Sequence, residues 1–374
     1  MRTRAALRLR TILLGPKRLI TNHSSMQRTH ADGSRFHFEY PPSTSRQSVV
    51  KALVAIRGAL RFCVAAPMLV ACNAFGVSAF GSMPQALPTS CRCLYVVDGG
   101  KDGVAVYRAS ARGDVKPVQD IAGKNTGLNL PWGIVTDASA NIYVTNEAGE
   151  GSVTVYAAGA TGNVTPIWTI SGAETKLEVP AGIALDTYGN VYVANFHDST
   201  ITVYAAGASG NAPPIRTIGG SQTQLNGPGG VALDTNGNIY VANDKSVTVY
   251  APGANGNVPP IQSISGSKTK LREPLGIALD SSANIYVANY RDSTVTVYAA
   301  GTTGNVAPIR TLGGAKTELN VPVGVAVDSR ARIYVSNYDA LTVYAAGASG
   351  DAEPIRTLSG AKTELSPPLV GLAL

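Results

Sequence analysis

The sequence predicts an all-β fold, a closed ring of six four-stranded units. Three observations predict it. A four-part phrase recurs six times over residues 94–374. Each copy holds four short runs rich in Ile, Val, Tyr and Thr, separated by Gly, Asn, Asp and Pro, which is the pattern of strands and turns. The first copy lacks one run, and the chain ends on a lone copy of that run, Gly371-Leu-Ala-Leu374.

The phrase is clearest at Pro180-Ala-Gly-Ile-Ala-Leu-Asp186, Gly189-Asn-Val-Tyr-Val-Ala-Asn195, Thr200-Ile-Thr-Val-Tyr204 and Pro214-Ile-Arg-Thr-Ile218. Its Asp recurs at Asp137, Asp186, Asp234, Asp280 and Asp328, at intervals of 49, 48, 46 and 48 residues. A fixed period of this length marks stacked or radial units.

The first strand of each unit is small and apolar with no alternating charge, as expected of a strand buried on both faces. It is placed innermost, next to an axis. The Gly that begins it (Gly133, Gly182, Gly230, Gly276, Gly324) lets neighbouring backbones approach closely. Asp186-Thr-Tyr-Gly189-Asn190 and its counterparts read as tight hairpin loops, with Asp folded onto nearby backbone N–H groups. The second and third strands carry Tyr at fixed positions in all six units. The stretch Ala206-Gly-Ala-Ser-Gly-Asn211 joins the third strand to the fourth. The fourth opens on Pro117, Pro166, Pro214, Pro260, Pro308 and Pro354. Proline cannot donate to a ladder, so this strand is assigned to the outer rim, blunted against edge pairing.

The missing inner strand of the first unit is then supplied by residues 371–374. This closes a six-bladed β-propeller with three strands from one chain end and one from the other, and closure removes free sheet edges.

The run Gly-Ile-Ala-Leu-Asp followed by Gly-Asn-Ile-Tyr-Val-Ala-Asn resembles the NHL repeat and its relatives, the YVTN and SMP-30/gluconolactonase-type six-bladed propellers. The resemblance covers about three quarters of the chain. It implies the fold. It leaves activity open, because the family spans lyases, lactonases, metal-dependent hydrolases and pure binding modules. No Trp-Asp pair marks a WD40 repeat, and paired kelch glycines are not present in every unit.

Charge divides the chain. Residues 1–88 hold 12 of the 31 Lys+Arg and only two of the 24 acids, Asp32 and Glu39. The propeller, with 19 Lys+Arg against 22 Asp+Glu, is slightly acidic, which argues against a nucleic-acid partner. Residues 1–50 read as a basic, disordered leader, with a mis-assigned start (Met26 an internal alternative) or an organellar transit peptide as further readings. Residues 51–80 read as an export signal or membrane anchor. Lys51, Arg57 and Arg61 precede an uncharged run from Phe62 to Phe80, with cleavage after Val77-Ser-Ala79 or lipidation of Cys72 within Leu69-Val-Ala-Cys72. Residues 81–93 read as a linker. The propeller is expected outside the membrane, in the periplasm, at the cell surface or extracellular, touching membrane only through its N-terminal segment.

Function is sought where the repeat breaks. The start of the inner strand and the end of the second share one end of each blade. The variable positions there are Trp132, Ala181, Gly229, Leu275 and Val323, and Glu147, Phe196, Asp244, Tyr290 and Tyr338. Trp132, Phe196, His197, Tyr290, Arg291 and Tyr338, with Asp198 and Asp292 beside them, form an expected aromatic mouth for a protein, peptide or carbohydrate. The alternative is that these are loop residues packing on each other.

The family resemblance implies a second possibility, a calcium ion held near the axis by Asp98, Asn146, Asn195, Asn243, Asn289 and Asn337, with Glu147 as an added carboxylate, in an SMP-30-like hydrolase or a propeller lyase. The competing reading is that each Asn caps its turn. His197 is the only His of the propeller, and no nucleophile elbow, phosphate loop or zinc spacing occurs. The residues therefore favour a non-enzymatic binding module without a cofactor.

Overall fold

The computed structural model describes Met26–Thr29, Arg35–Phe38 and residues 93–374. The chain forms two compact units, Met1–Phe80 and Gly81–Leu374. In the first, Met26–Thr29 and Arg35–Phe38 pair antiparallel, with Met26 opposite Phe38. They fall inside the leader whose composition reads as disordered. The expected signal and Cys72 lie outside the described residues.

In the second unit six four-stranded antiparallel sheets form a six-bladed β-propeller. The second blade orders Pro131–Thr136, Ile142–Asn146, Ser152–Tyr156 and Trp168–Ser171 from axis to rim, and four more blades repeat this. The remaining sheet joins both chain ends. Leu369–Ala373 pairs antiparallel with Cys93–Asp98, followed by Gly103–Arg108 and Gln119–Ala122. Closure is as the sequence predicts, with shifted bounds. The C-terminal strand starts two residues earlier than expected, because Leu369 is buried and pairs with Asp98. Cys93, assigned to the linker, is a buried strand residue.

Glycine explains how six inner strands fit around one axis. A Cβ on Gly133 would stand 2.3 Å from Ala181 O, one on Gly230 2.4 Å from Leu275 O, and one on Gly371 2.4 Å from Trp132 O. Each inner strand thus lies against the backbone of the next, and Gly371 closes the circle. Between the blades pack the aliphatic faces and the third-strand tyrosines, which are fully buried. Each of these tyrosines donates to a backbone carbonyl in the loop that leads into its own blade, as Tyr204 does to Thr175 O at 2.6 Å. Burial pushes the Tyr156, Tyr250 and Tyr298 hydroxyls up to about 12.

The outer strands depart from expectation in two ways. They begin two residues after the proline, as in Arg216–Ile218, because proline has no N–H to give. The following residue makes the first bond, Ile215 N–H to Val203 O at 2.8 Å. They are also not bare edges. Ile218 bridges to Gly256 of the next blade, and five equivalent parallel bridges run round the ring, including Gly113 to Leu358 across the seam. The third-to-fourth loop, read from sequence as a simple connection, is therefore an inter-blade staple. Its Asn or Asp side chain holds the loop between the two blades, as when Asn211 Oδ1 accepts the Glu174 N–H at 2.8 Å.

Candidate functional site

Antiparallel pairing places Pro131 opposite Asn146, Pro180 opposite Asn195 and Pro274 opposite Asn289. This brings the variable residues to one end of the axis. The axis itself holds a cavity of about 80 Å³ walled by the inner-strand glycines and their aliphatic neighbours, with Trp132, Leu275, Val323 and Val370 toward this end. No lining residue of that cavity is titratable.

The aromatic residues do not all face outward. Trp132 is buried in one cluster with Ala181, Val323 and Val370, and Phe196, Leu275 and Tyr290 pack against it half-buried. Trp132 is therefore packed into the wall of the inner ring, the packing reading of that residue. Tyr338 is 44 % exposed. His197 and Arg291 are exposed: His197 Nδ1 lies 3.0 Å from Asp198 Oδ1, and an Arg291 guanidinium nitrogen lies 3.3 Å from Glu273 Oε1.

Acidic residues occupy the same mouth. Glu147, Asp244 and Glu273 are buried at 6 %, 9 % and 7 % exposure. Lys245 lies 3.6 Å from Asp244, and Arg272 lies 3.8 Å from Asp292. Glu273 escaped the sequence reading, although a signal was present. It precedes a proline where other blades carry Leu130, Val179 and Val321, and all four have φ near 50°. Only this copy of the strained position is charged.

The Asn ring is structural in its bonds. Asn195 Oδ1 accepts the Glu178 N–H at 3.3 Å, and its Nδ2 donates to Thr200 and Thr202 hydroxyls at 3.2 and 3.0 Å. Asn146, Asn243, Asn289 and Asn337 repeat the pattern, each fully buried and each tying a lead-in loop to the third-strand Thr. Their amide oxygens face backbone donors of their own blades. This donor set does not fit a calcium ion, which needs six to eight convergent oxygens. Among the described residues no group of three or more His, Cys, Asp or Glu side chains converges either.

Asp98 is the exception in the ring. It is fully buried, its Oδ2 accepts the Ser366 N–H at 3.0 Å, and Lys101 Nζ lies 3.6 Å from the same oxygen. Burial pushes its carboxyl up to about 6, against the pull of the Ser366 N–H and of Lys101. At the opposite face each blade turn is pinned by its Asp. Asp280 accepts from Asn284, Ser282 and Tyr286, and although burial opposes it, these bonds hold its carboxyl below the usual value.

No family model matches the chain, and no curated protein matches it either. Solved structures do. A protein of unknown function from Bacteroides caccae is 13 % identical over 76 % of this chain and 98 % of its own, with a TM-score of 0.54. A chain of a nidogen/laminin complex is 15 % identical over 75 % of this chain and 97 % of its own, also at 0.54. A protein from Lactobacillus plantarum is 17 % identical over 72 % and 82 %, at 0.50. Likeness at this identity speaks for the fold alone, and what this chain shares with its structural neighbours is the six-bladed β-propeller.

Proposed function

We propose that the chain is an NHL-like propeller, exported by its N-terminal segment, that binds a protein, peptide or carbohydrate at the axial mouth and performs no catalysis. The observation that carries this reading is where the repeat stops. The buried Asn and the inner Gly recur from blade to blade, whereas the residue after the Asn is Glu147, Phe196, Asp244, Tyr290 and Tyr338 in turn. Side chains that differ between otherwise identical blades are not set by the repeat itself, and aromatic and charged groups in one place suit recognition. The axial cavity, walled by glycine and aliphatic carbon, offers no acid, base or nucleophile. Export rests on the uncharged run behind Arg57 and Arg61.

The test is binding of the full chain to peptide and glycan arrays beside a Phe196→Ala/Tyr290→Ala/Tyr338→Ala variant. Trp132 is left intact because its burial would confuse folding with binding. The variant is expected to lose the ligands that the wild type retains. A variant that keeps all of them while folded overturns the reading.

A further inference from the structure

We propose that Asp98 makes closure of the ring proton-dependent, so that the seam between the two chain ends is tightest with this carboxyl protonated and loosens as it ionises. The argument starts from what the other five blades do. There an Asn amide donates to a third-strand Thr that the sheet register fixes, as Asn146 does to Thr154, which lies opposite Val144. In the seam blade both partners differ. Asp98 replaces the Asn, and Ala105, opposite Val96, replaces the Thr. One half of the clamp survives, the Ser366 N–H bond to Oδ2. The other oxygen, Oδ1, is buried with no hydrogen-bond partner. An ionised carboxylate in that position is costly, because burial strips its water and outweighs the pull of the Ser366 N–H and of the Lys101 backbone and side-chain donors.

Protonation supplies the missing donor. The Asn243 amide also donates to Val241 O two residues back in its own strand, at 3.2 Å. By the same geometry an Oδ1–H on Asp98 has Val96 O as its acceptor. The location gives this local change a wider effect. Asp98 is paired with Leu369, the first residue of the C-terminal strand, and next to it Gly99 N–H bonds Pro368 O at 3.0 Å and Gly100 N–H bonds Ser366 O at 3.2 Å.

The charged neighbours do not cancel the carboxylate. Lys101 Nζ is shared with Asp120 Oδ1 of the outer strand at 2.9 Å and donates to Glu364 O of the lead-in loop at 2.9 Å. The Asp120 and Glu364 carboxylates and the Tyr107 hydroxyl face the same region from the outer strand, the loop and the third strand. Asp102, on the adjacent turn, accepts the Leu130 N–H at 2.8 Å, and its carboxyl is also raised by burial. The sign follows from Asp98 titrating near 6 in the folded chain against 3.8 for the free side chain. Its stabilising contribution is complete below the lower value and is lost as pH rises through the upper one.

Thermal unfolding of the full chain between pH 5 and 8 tests this, comparing wild type, Asp98→Asn and Asp102→Ser. The Asn variant carries the donor at every pH. Its melting-temperature advantage over wild type is expected to grow between pH 5 and pH 8, by roughly 2–3 °C over that range. Asp102→Ser, which keeps a hydroxyl acceptor for Leu130, is expected to retain the wild-type slope. Parallel curves for wild type and Asp98→Asn, or a slope removed by Asp102→Ser instead, overturn the proposal. Hydrogen exchange on the wild type gives a reading that needs no variant. Corrected for intrinsic rates, the Ser366 amide should lose protection from pH 5 to 8 relative to Asn129, Glu178 and Asn226, its counterparts in other blades. Equal protection at both ends of that range also overturns it.

Discussion

Asn195 ties three pieces of chain together with one amide: the loop before its blade, its own strand and the third strand. Replacing it by Ala leaves the Glu178 N–H without its acceptor and two threonine hydroxyls without their donor. Asn195→Ala is expected to cost about 2–3 kcal/mol, read as a lower urea midpoint at unchanged slope. The sequence marked this Asn by its recurrence, and one of the two roles considered for it, capping, comes close to its bonds. Which backbone it would cap was not legible, because Glu178 stands 17 residues away and only the ladder brings it near. Trp132 is the converse case. An aromatic residue beside a central axis reads as a ligand contact, yet Trp132 is buried in one cluster with Ala181, Val323 and Val370 at the edge of the axial cavity.

At the scale of elements, the inner strand was the most legible. A Gly followed by aliphatic residues, with no charge, reads as an inner strand, and around the axis its residues are buried or half-buried. The glycine positions demand this because their missing Cβ is the space into which the next backbone fits. Gly230→Ala, whose new methyl would meet Leu275 O at 2.4 Å, should lose about 1–3 kcal/mol or more in chemical denaturation, since a backbone carbonyl cannot step aside as a flexible side chain would. The outer strand was the least legible. Its proline correctly marked a rim, but the edge is occupied by a parallel bridge from the next blade's loop. A Gly-rich loop and a Pro-led strand carry no sign in sequence that they belong to one another, because their pairing joins neighbouring repeats.

At the scale of the molecule, the ring depends on its last strand. Leu369, Val370, Leu372 and Ala373 are buried, so removing residues 369–374 forfeits several large apolar burials, each worth about 1.5–3 kcal/mol for the larger side chains. It also bares the edge of Cys93–Asp98. The truncated chain is expected to melt at a much lower temperature and to self-associate, as read by light scattering, because an unpaired strand templates pairing with another copy. By itself the sequence determined the blade number, the strand order and the closure, since period, turn chemistry and an orphan final strand are local properties that add up in one dimension. Tertiary structure decided what the variable residues do. It buried Trp132, committed the Asn ring to loop support, gathered Glu147, Asp244 and Glu273 at one mouth and left Asp98 half-satisfied at the seam. Those outcomes depend on which blades meet across the axis and on how much space six strands leave between them, and such distances are set only when the ring is closed.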